Sequence, residues 1–393
     1  VGEAQEALDR AWRSDAAGML GVLARRLGDL DRAEEALQEA LASALRHWPA
    51  EGVPANPAGW LVTTAWRKAV DAMRREAGGR AKLAVLARTP PAEPTPDDRL
   101  ALVFACCHPA LPEPSRMALT LHAVAGLPAD AIAAAFLLPR ATLAQRLVRA
   151  RKTLRDLGVR VEVPAAGEYE SRLPAVLTVL YLIYNEGYTA RRPELAREGL
   201  DLARQLADLM PAEPEAAGLA ALVELHEARS AGRFDAEGRI VLLEDQDRSL
   251  WDLRLIHAAV RRLARAARRD RPGPYQLQAA IAAQHALATS YETTDWRAVR
   301  ALYDSLQVLQ PSPVVSLSRA VATGFVLGPA AALDEVDALE GRLVGYRLWH
   351  ATRADLLSRL GRTGEAVEAT RRALALATNP AERELLQRKL DAF

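Results

Sequence analysis

Cysteine is almost absent from this 393-residue chain: there are two, adjacent at Cys106 and Cys107. A disulfide framework is thereby excluded, and a reducing compartment fits. Aromatic residues contribute only 5%. Strands draw on aromatic and β-branched side chains, so an all-β sandwich is excluded and the Ala-, Leu- and Arg-rich remainder points to an all-α fold. Lysine is scarce, four among 51 basic residues, a skew we read as codon bias from a G+C-rich genome. No apolar run reaches the ~18 residues that a membrane helix needs. The opening VGEAQEALDRAW lacks the basic start and apolar stretch of a signal peptide. A cytoplasmic protein without membrane contact is expected. A phosphate-binding glycine loop, a GxSxG elbow and HExxH spacing are all missing. No catalytic residue, metal or cofactor is expected.

Hydrophobic residues at 50% and charged residues at 26% are enough for a packed core. The length suits two or three domains. The net charge of +1 conceals an asymmetry: residues 1–160 carry 22 Lys/Arg against 18 Asp/Glu, and residues 161–393 carry 29 against 32. Arg140 to Arg160 holds seven basic residues and one acid, Asp156, a stripe of the kind that binds nucleic acid.

The helical pattern falls into blocks at 1–76, 99–160 and 168–393. Residues 77–98, with Gly78, Gly79 and prolines 90, 91, 94 and 96, read as a linker. The third block has repeat character. Between His350 and Pro380, small residues at Ala354, Ala366 and Ala373 follow the spacing of a tetratricopeptide unit, although Pro380 comes two residues late.

Three stretches form helices with two contrasting faces. In GWLVTTAWRKAVDAMRRE, Trp60, Thr63, Thr64, Arg67, Asp71 and Arg74 share one side and Val62, Ala65, Trp66, Ala69 and Met73 the other. The first set suits unpaired bases and phosphate, but this helix alone reads more simply as having an ordinary solvated face. In DRAEEALQEALASALRHW, Leu37, Leu41, Ala44 and Trp48 make a buried stripe, and Asp31, Glu35, Gln38 and Glu39 an acidic outer face. Asp29 or Asp31 can cap that helix. The acids either compensate the helix dipole or dock a basic partner. From Leu127 to Arg155 a short helix, a turn and a second helix follow. Leu143, Leu147, Ala150 and Leu154 share one face of the second helix, and Thr142, Gln145, Arg146, Arg149, Lys152 and Thr153 the other. This matches the helix-turn-helix arrangement, whose second helix fits the major groove, with a helical hairpin bearing a solvated basic face as the alternative.

Ala131 to Arg155, and its tail RLVRARKTLR above all, resembles region four of the sigma-70 family of bacterial RNA polymerase sigma factors. LGDLDRAEEALQEALASALRHW and NPAGWLVTTAWRKAVDAMRRE resemble region two. Two such regions joined by a linker resemble the extracytoplasmic-function subfamily. FACCHPALPEPSRMAL, YLIYNEGY and the helical tail resemble its subgroup with a tetratricopeptide-like C-terminal extension.

The resemblance implies roles. Asp29, Asp31, Glu34, Glu35, Gln38 and Glu39 would dock on the coiled coil of the polymerase β′ subunit. Asn56, Trp60, Thr63, Thr64, Arg67, Asp71 and Arg74 would meet the opened −10 element. Arg140, Thr142, Gln145, Arg146, Arg149 and Lys152 would read the −35 duplex. The extension would regulate the factor, through intramolecular contact with the promoter-reading domains or by receiving a signal, with Tyr184, Asn185, Glu186 and Tyr188 at its entrance. The family's turn usually carries Gly where this chain has Leu137. A left-handed Leu there would cost roughly 1–2 kcal/mol, so an adjusted turn is expected.

Two other chemistries stand beside this reading. Cys106-Cys107-His108 invites a metal, but adjacent cysteines rarely offer both sulfurs to one ion and no second ligand pair follows, so buried thiols are expected. Tyr181, Tyr184, Asn185, Glu186 and Tyr188, with Glu244, Asp245 and Asp247, form an enzyme-like set that more simply makes a polar network between helices. A helical-repeat scaffold without sigma activity is the remaining alternative.

Overall fold

The computed structural model describes residues 2–77, 94–136, 138–189 and 191–393. Among the described residues the regular elements are helices, and the one extended pairing is an isolated bridge between Phe234 and Ile240. The all-α expectation holds. Most of the linker, and Leu137 in the turn, lie outside the described residues. The chain forms two compact units, residues 1–209 and 210–393.

The first unit starts with α1 (Gly2–Leu27), α2 (Leu30–Glu51) and α3 (Pro57–Ala77), each packed on the other two. Asp29 caps α2, accepting from the backbone N–H groups of Asp31 (2.8 Å) and Arg32 (3.2 Å). Leu37, Ala44 and Trp48 on α2 and Val62, Ala65, Trp66 and Ala69 on α3 are buried, as the 3.6-residue period requires, whereas Leu41 and Met73 of the expected inward sets are half-buried; each large buried side chain contributes roughly 1.5–3 kcal/mol. Helix α4 (Pro96–Cys106) packs on α1 at Gly21, where a Cβ would lie only 2.3 Å from the Asp98 carbonyl oxygen. Only glycine allows that approach.

Helices α5 (Glu113–Ala123), α6 (Ala129–Ala135) and α7 (Arg140–Asp156) pack together. Leu143, Leu147, Ala150 and Leu154 of α7 are buried, the four that the spacing places inward. Helices α8 (Ala166–Thr189) and α9 (Pro193–Leu209) cross closely at Gly199, where a Cβ would meet the Tyr184 backbone at 2.6 Å. Helix α8 also lies on α4 and α5, and α9 on α4. The division of the chain therefore falls after Leu209, although the sequence pattern groups α8 and α9 with the later helices.

The second unit runs through α10 (Pro214–Glu227), α11 (Leu253–Ala267), α12 (Pro274–Leu287), α13 (Trp296–Leu309), α14 (Pro313–Val326), α15 (Pro329–Asp337), α16 (Glu340–Leu343), α17 (Arg347–Arg359), α18 (Thr363–Leu376) and α19 (Pro380–Asp391). Packing is mostly between neighbours in sequence: α12 on α13, α13 on α14, α14 on α15, α17 on α18, α18 on α19. Ala354, Ala366 and Ala373 are buried where α17 and α18 meet across the turn at Gly361. Glu215 begins the stack by accepting from the Tyr275 and Gln276 N–H groups, both at 3.0 Å.

Candidate functional site

Helix α3 begins at Asn56, whose Oδ1 accepts from the Gly59 N–H at 2.9 Å. That cap leaves the side chain busy with its own helix. Trp60 is half-buried, its ring 5.5 Å from that of Trp48 in an edge-on arrangement. Thr63 and Thr64 are half-buried, and Arg67, Asp71 and Arg74 are exposed, with Asp71 and Arg74 paired at 3.4 Å. The face proposed from the spacing is thus continuous, but its aromatic ring is seated on a core tryptophan and offers only part of its surface.

Helix α7 presents Arg140, Thr142, Gln145, Arg149 and Lys152 to solvent, with Arg146 half-buried. Arg140 pairs with Asp130 at 2.8 Å, Lys152 with Asp156 at 2.5 Å, and Arg149 Nε donates to the Gln145 carbonyl at 3.3 Å. These are exposed contacts within or next to the helix, worth little each and easily exchanged for phosphate or base edges.

On α2, Glu35, Gln38 and Glu39 are exposed, Glu39 lying 3.4 Å from Lys68. Asp29, Asp31 and Glu34 are not free acids. Arg155 Nη1 lies 2.7 Å from Asp31 and 3.8 Å from Asp29. Arg151 pairs with Glu34 and stands 3.6 Å from Asp31. His122 Nε2 reaches the other Glu34 oxygen at 3.1 Å. Burial raises the Glu34 carboxyl, but the His122 hydrogen bond and the Arg151 charge outweigh it and leave its pKa below the ordinary value. The spacing brings out the acids but not these partners. The available signal is that Arg151 and Arg155 belong to the basic stripe yet fall outside the outward set of α7.

Tyr184 is 1% exposed and stacks on Tyr188, ring centroids 5.5 Å apart. Asn185 and Glu186 are half-buried, and the Asn185 carbonyl accepts from Thr189 at 2.7 Å. Glu244, Asp245 and Asp247 belong to the other unit, where Asp247 accepts from the Ser249 N–H at 2.9 Å. Neither unit unites the two sets. Cys106 and Cys107 are buried; desolvation, partly offset by a contact with Thr120, pushes the Cys107 thiol to about 11. Among the described residues no His, Cys, Asp and Glu cluster could hold a metal ion, and no helix is long and apolar enough to cross a membrane.

An all-helical protein with a helix-turn-helix, a basic outward recognition helix and an acidic helix face belongs to the class of DNA-binding transcription proteins. Comparison with known families is more specific. Residues 11–78 match Sigma-70 region 2 and residues 101–154 match Sigma-70, region 4. Residues 172–267 match a family of unknown function, DUF6596. A Rhizobium meliloti (strain 1021) protein described as "Uncharacterized protein R00370" is 44% identical over 390 residues, covering 95% of this chain and 92% of its own. No solved structure matches. The chain belongs to the sigma-70 family of RNA polymerase sigma factors, as an extracytoplasmic-function member whose extension is a DUF6596 domain. It directs promoter-specific initiation of transcription and works with core RNA polymerase and promoter DNA, and the two sigma regions belong to families that are not enzymes.

Proposed function

We propose that the three helix faces divide the work of initiation. The acidic face of α2, with Asp29, Asp31, Glu34, Glu35, Gln38 and Glu39, docks on the basic coiled coil of the β′ subunit. Trp60, Thr63, Thr64, Arg67, Asp71 and Arg74, positioned by the Asn56 cap, hold the melted −10 strand. Arg140, Thr142, Gln145, Arg146, Arg149 and Lys152 read the −35 duplex. The extension regulates these steps in cis, and the Tyr184, Asn185, Glu186 and Tyr188 segment transmits its state through the α8–α9 crossing. The factor acts in the cytoplasm, where its polymerase is.

The observation that carries this reading is the separation of faces on α7: four leucine and alanine positions buried, the amide, hydroxyl and basic set outward. Such an arrangement leaves the base-reading side chains available without cost to the core. Docking is tested by reversing charge at an exposed position of α2. Glu35→Arg replaces attraction with repulsion at a basic surface and touches no core residue. Holoenzyme formation, judged by co-elution with purified core polymerase, is expected to fall at least about tenfold, the effect of some 1.4 kcal/mol. Unchanged co-elution rejects the docking face.

A further inference from the structure

The second unit holds a hollow of about 300 Å³ among α10, α12, α13 and α14. A well-packed interior leaves few voids larger than a water molecule, so a space of this size between helices asks for a reason. Its walls are stripes at helical spacing. Gln278, Ile281, Ala282 and His285 share one face of α12, and Leu222 and His226 share one face of α10. Leu306 of α13 and Val315 of α14 line it as well. Helices α10 and α12 start together, where Gly218 admits the Gln276 backbone, so their last turns bring His226 and His285 to the same end of the hollow. Arg229, 8% exposed, stands just beyond the end of α10 with its Nη2 3.4 Å from His226 Nδ1.

The charge at this end is one-sided. The residues lining the hollow include Arg229 and two histidines and no carboxylate. Burial, followed by the charges of Arg229 and Arg233, holds His226 neutral, and burial with Arg229 and Arg248 does the same for His285. Arg248 Nη1 donates to the carbonyls of His285 and Ala288 at 2.7 and 2.8 Å, which offsets the negative end of α12. His285 Nδ1 is shut off from water and has no hydrogen-bond partner, a costly state for a polar atom. A guanidinium beside neutral imidazoles offers N–H donors under a net positive charge, which is the chemistry that recognises a carboxylate. We infer that this hollow binds a small carboxylic acid with an apolar body. The carboxylate accepts from Arg229 and His285, and the body lies against Leu222, Ile281, Leu306 and Val315. An amine would meet the charge of the arginine, and an uncharged molecule would leave the donors poorly satisfied. Service of this acid as the signal received by the extension rests on the regulatory role proposed above; its binding does not.

The test is isothermal titration of the full-length chain with octanoate and with benzoate, a flexible and a flat body on the same charged group. Octanol, octylammonium and acetate each lack one feature of the expected ligand. At least one of the two acids should bind at a single site, and the three controls at least about tenfold more weakly, the loss expected when a charge-assisted hydrogen bond or the apolar contact is missing. Arg229→Gln should lower the affinity of the acid by at least about tenfold. Because Arg229 is buried, a second variant guards against loss of fold: Ala282→Leu grows into the hollow, alters no charge, and should block the acid while circular dichroism stays that of the wild type. Failure of both acids to bind overturns the site, as does an affinity that Ala282→Leu leaves unchanged. Octanol binding as tightly as octanoate, or octyl phosphate binding more tightly, overturns the carboxylate assignment. Transcription in vitro separates the site from the regulatory reading: an acid that binds here and leaves output from the cognate promoter unchanged upholds the site and removes it from control of the factor.

Discussion

Individual side chains here take their character from how deeply they are buried and from which charges surround them. His226 and His285 of the second unit show it most strongly. Desolvation, then the charges of Arg229 and Arg233, pulls His226 down to about 3, and desolvation with Arg229 and Arg248 pulls His285 down to about 4. Both histidines are neutral in the folded protein near pH 6, where an unfolded histidine, with a pKa near 6.5, begins to gain its proton. The sign follows: their contribution is complete above about pH 6.5 and is lost as pH falls, because the unfolded chain binds protons that the folded chain refuses. Each should cost roughly 1 kcal/mol per pH unit between about pH 6 and 4. Urea denaturation between pH 7 and 5, followed by hydrogen exchange in α10 and α12, should show this slope. His226→Gln, which cannot charge, should make it shallower by about one proton. An unaltered slope would mean that His226 titrates normally.

At the scale of the element, one helix serves two surfaces because its period of 3.6 residues offers more than two faces. On α7 the inward face is core, one flank pairs with α2 and the outward face is free. On α3 the tryptophan nearest the cap, Trp60, is seated edge-on against Trp48. The two helices should therefore fail differently. Arg149→Ala should weaken −35 binding, and where its contact is to a base it should relax specificity there by about 1–3 kcal/mol. Trp60→Ala should leave closed-complex binding nearly intact and lower the yield of open complex. Permanganate reactivity of melted thymines separates the two, and a normal open-complex yield for Trp60→Ala removes it from the −10 site.

For the whole molecule, the position of the boundary matters. A cut near Pro164 would strip α8 and α9 from the first unit, where α8 lies on α4 and α5 and Arg172 donates to the Phe104 carbonyl at 2.8 Å. The informative cut follows Leu209, at the division between units. Fragment 1–209, once circular dichroism has confirmed that it is folded, should transcribe from the cognate promoter at a level different from that of the full chain. Higher output marks residues 210–393 as inhibitory and lower output as activating. Equal output under inducing and non-inducing conditions ends the regulatory reading of that part of the chain.

The sequence by itself determined the helices, their buried stripes and the outward set on α7, because those follow from spacing along a single helix and need no distant partner. Leu143, Leu147, Ala150 and Leu154 could be placed by counting, whereas the cap of α2 was narrowed only to Asp29 or Asp31, and the structure chose Asp29. Asn56 and Trp60 were legible as surface candidates, but the bond to Gly59 and the contact with Trp48 were not. Only the tertiary structure decided that Arg155 bonds an acid 124 positions away and that Tyr184 of YLIYNEGY lies at a tight crossing with Gly199. Two charged helices from distant parts of a chain could meet in many registers, and local periodicity is the same in all of them. The choice is made by the fit of Gly21 to the α4 backbone and by the pairing of particular charges, which are properties of surfaces brought together.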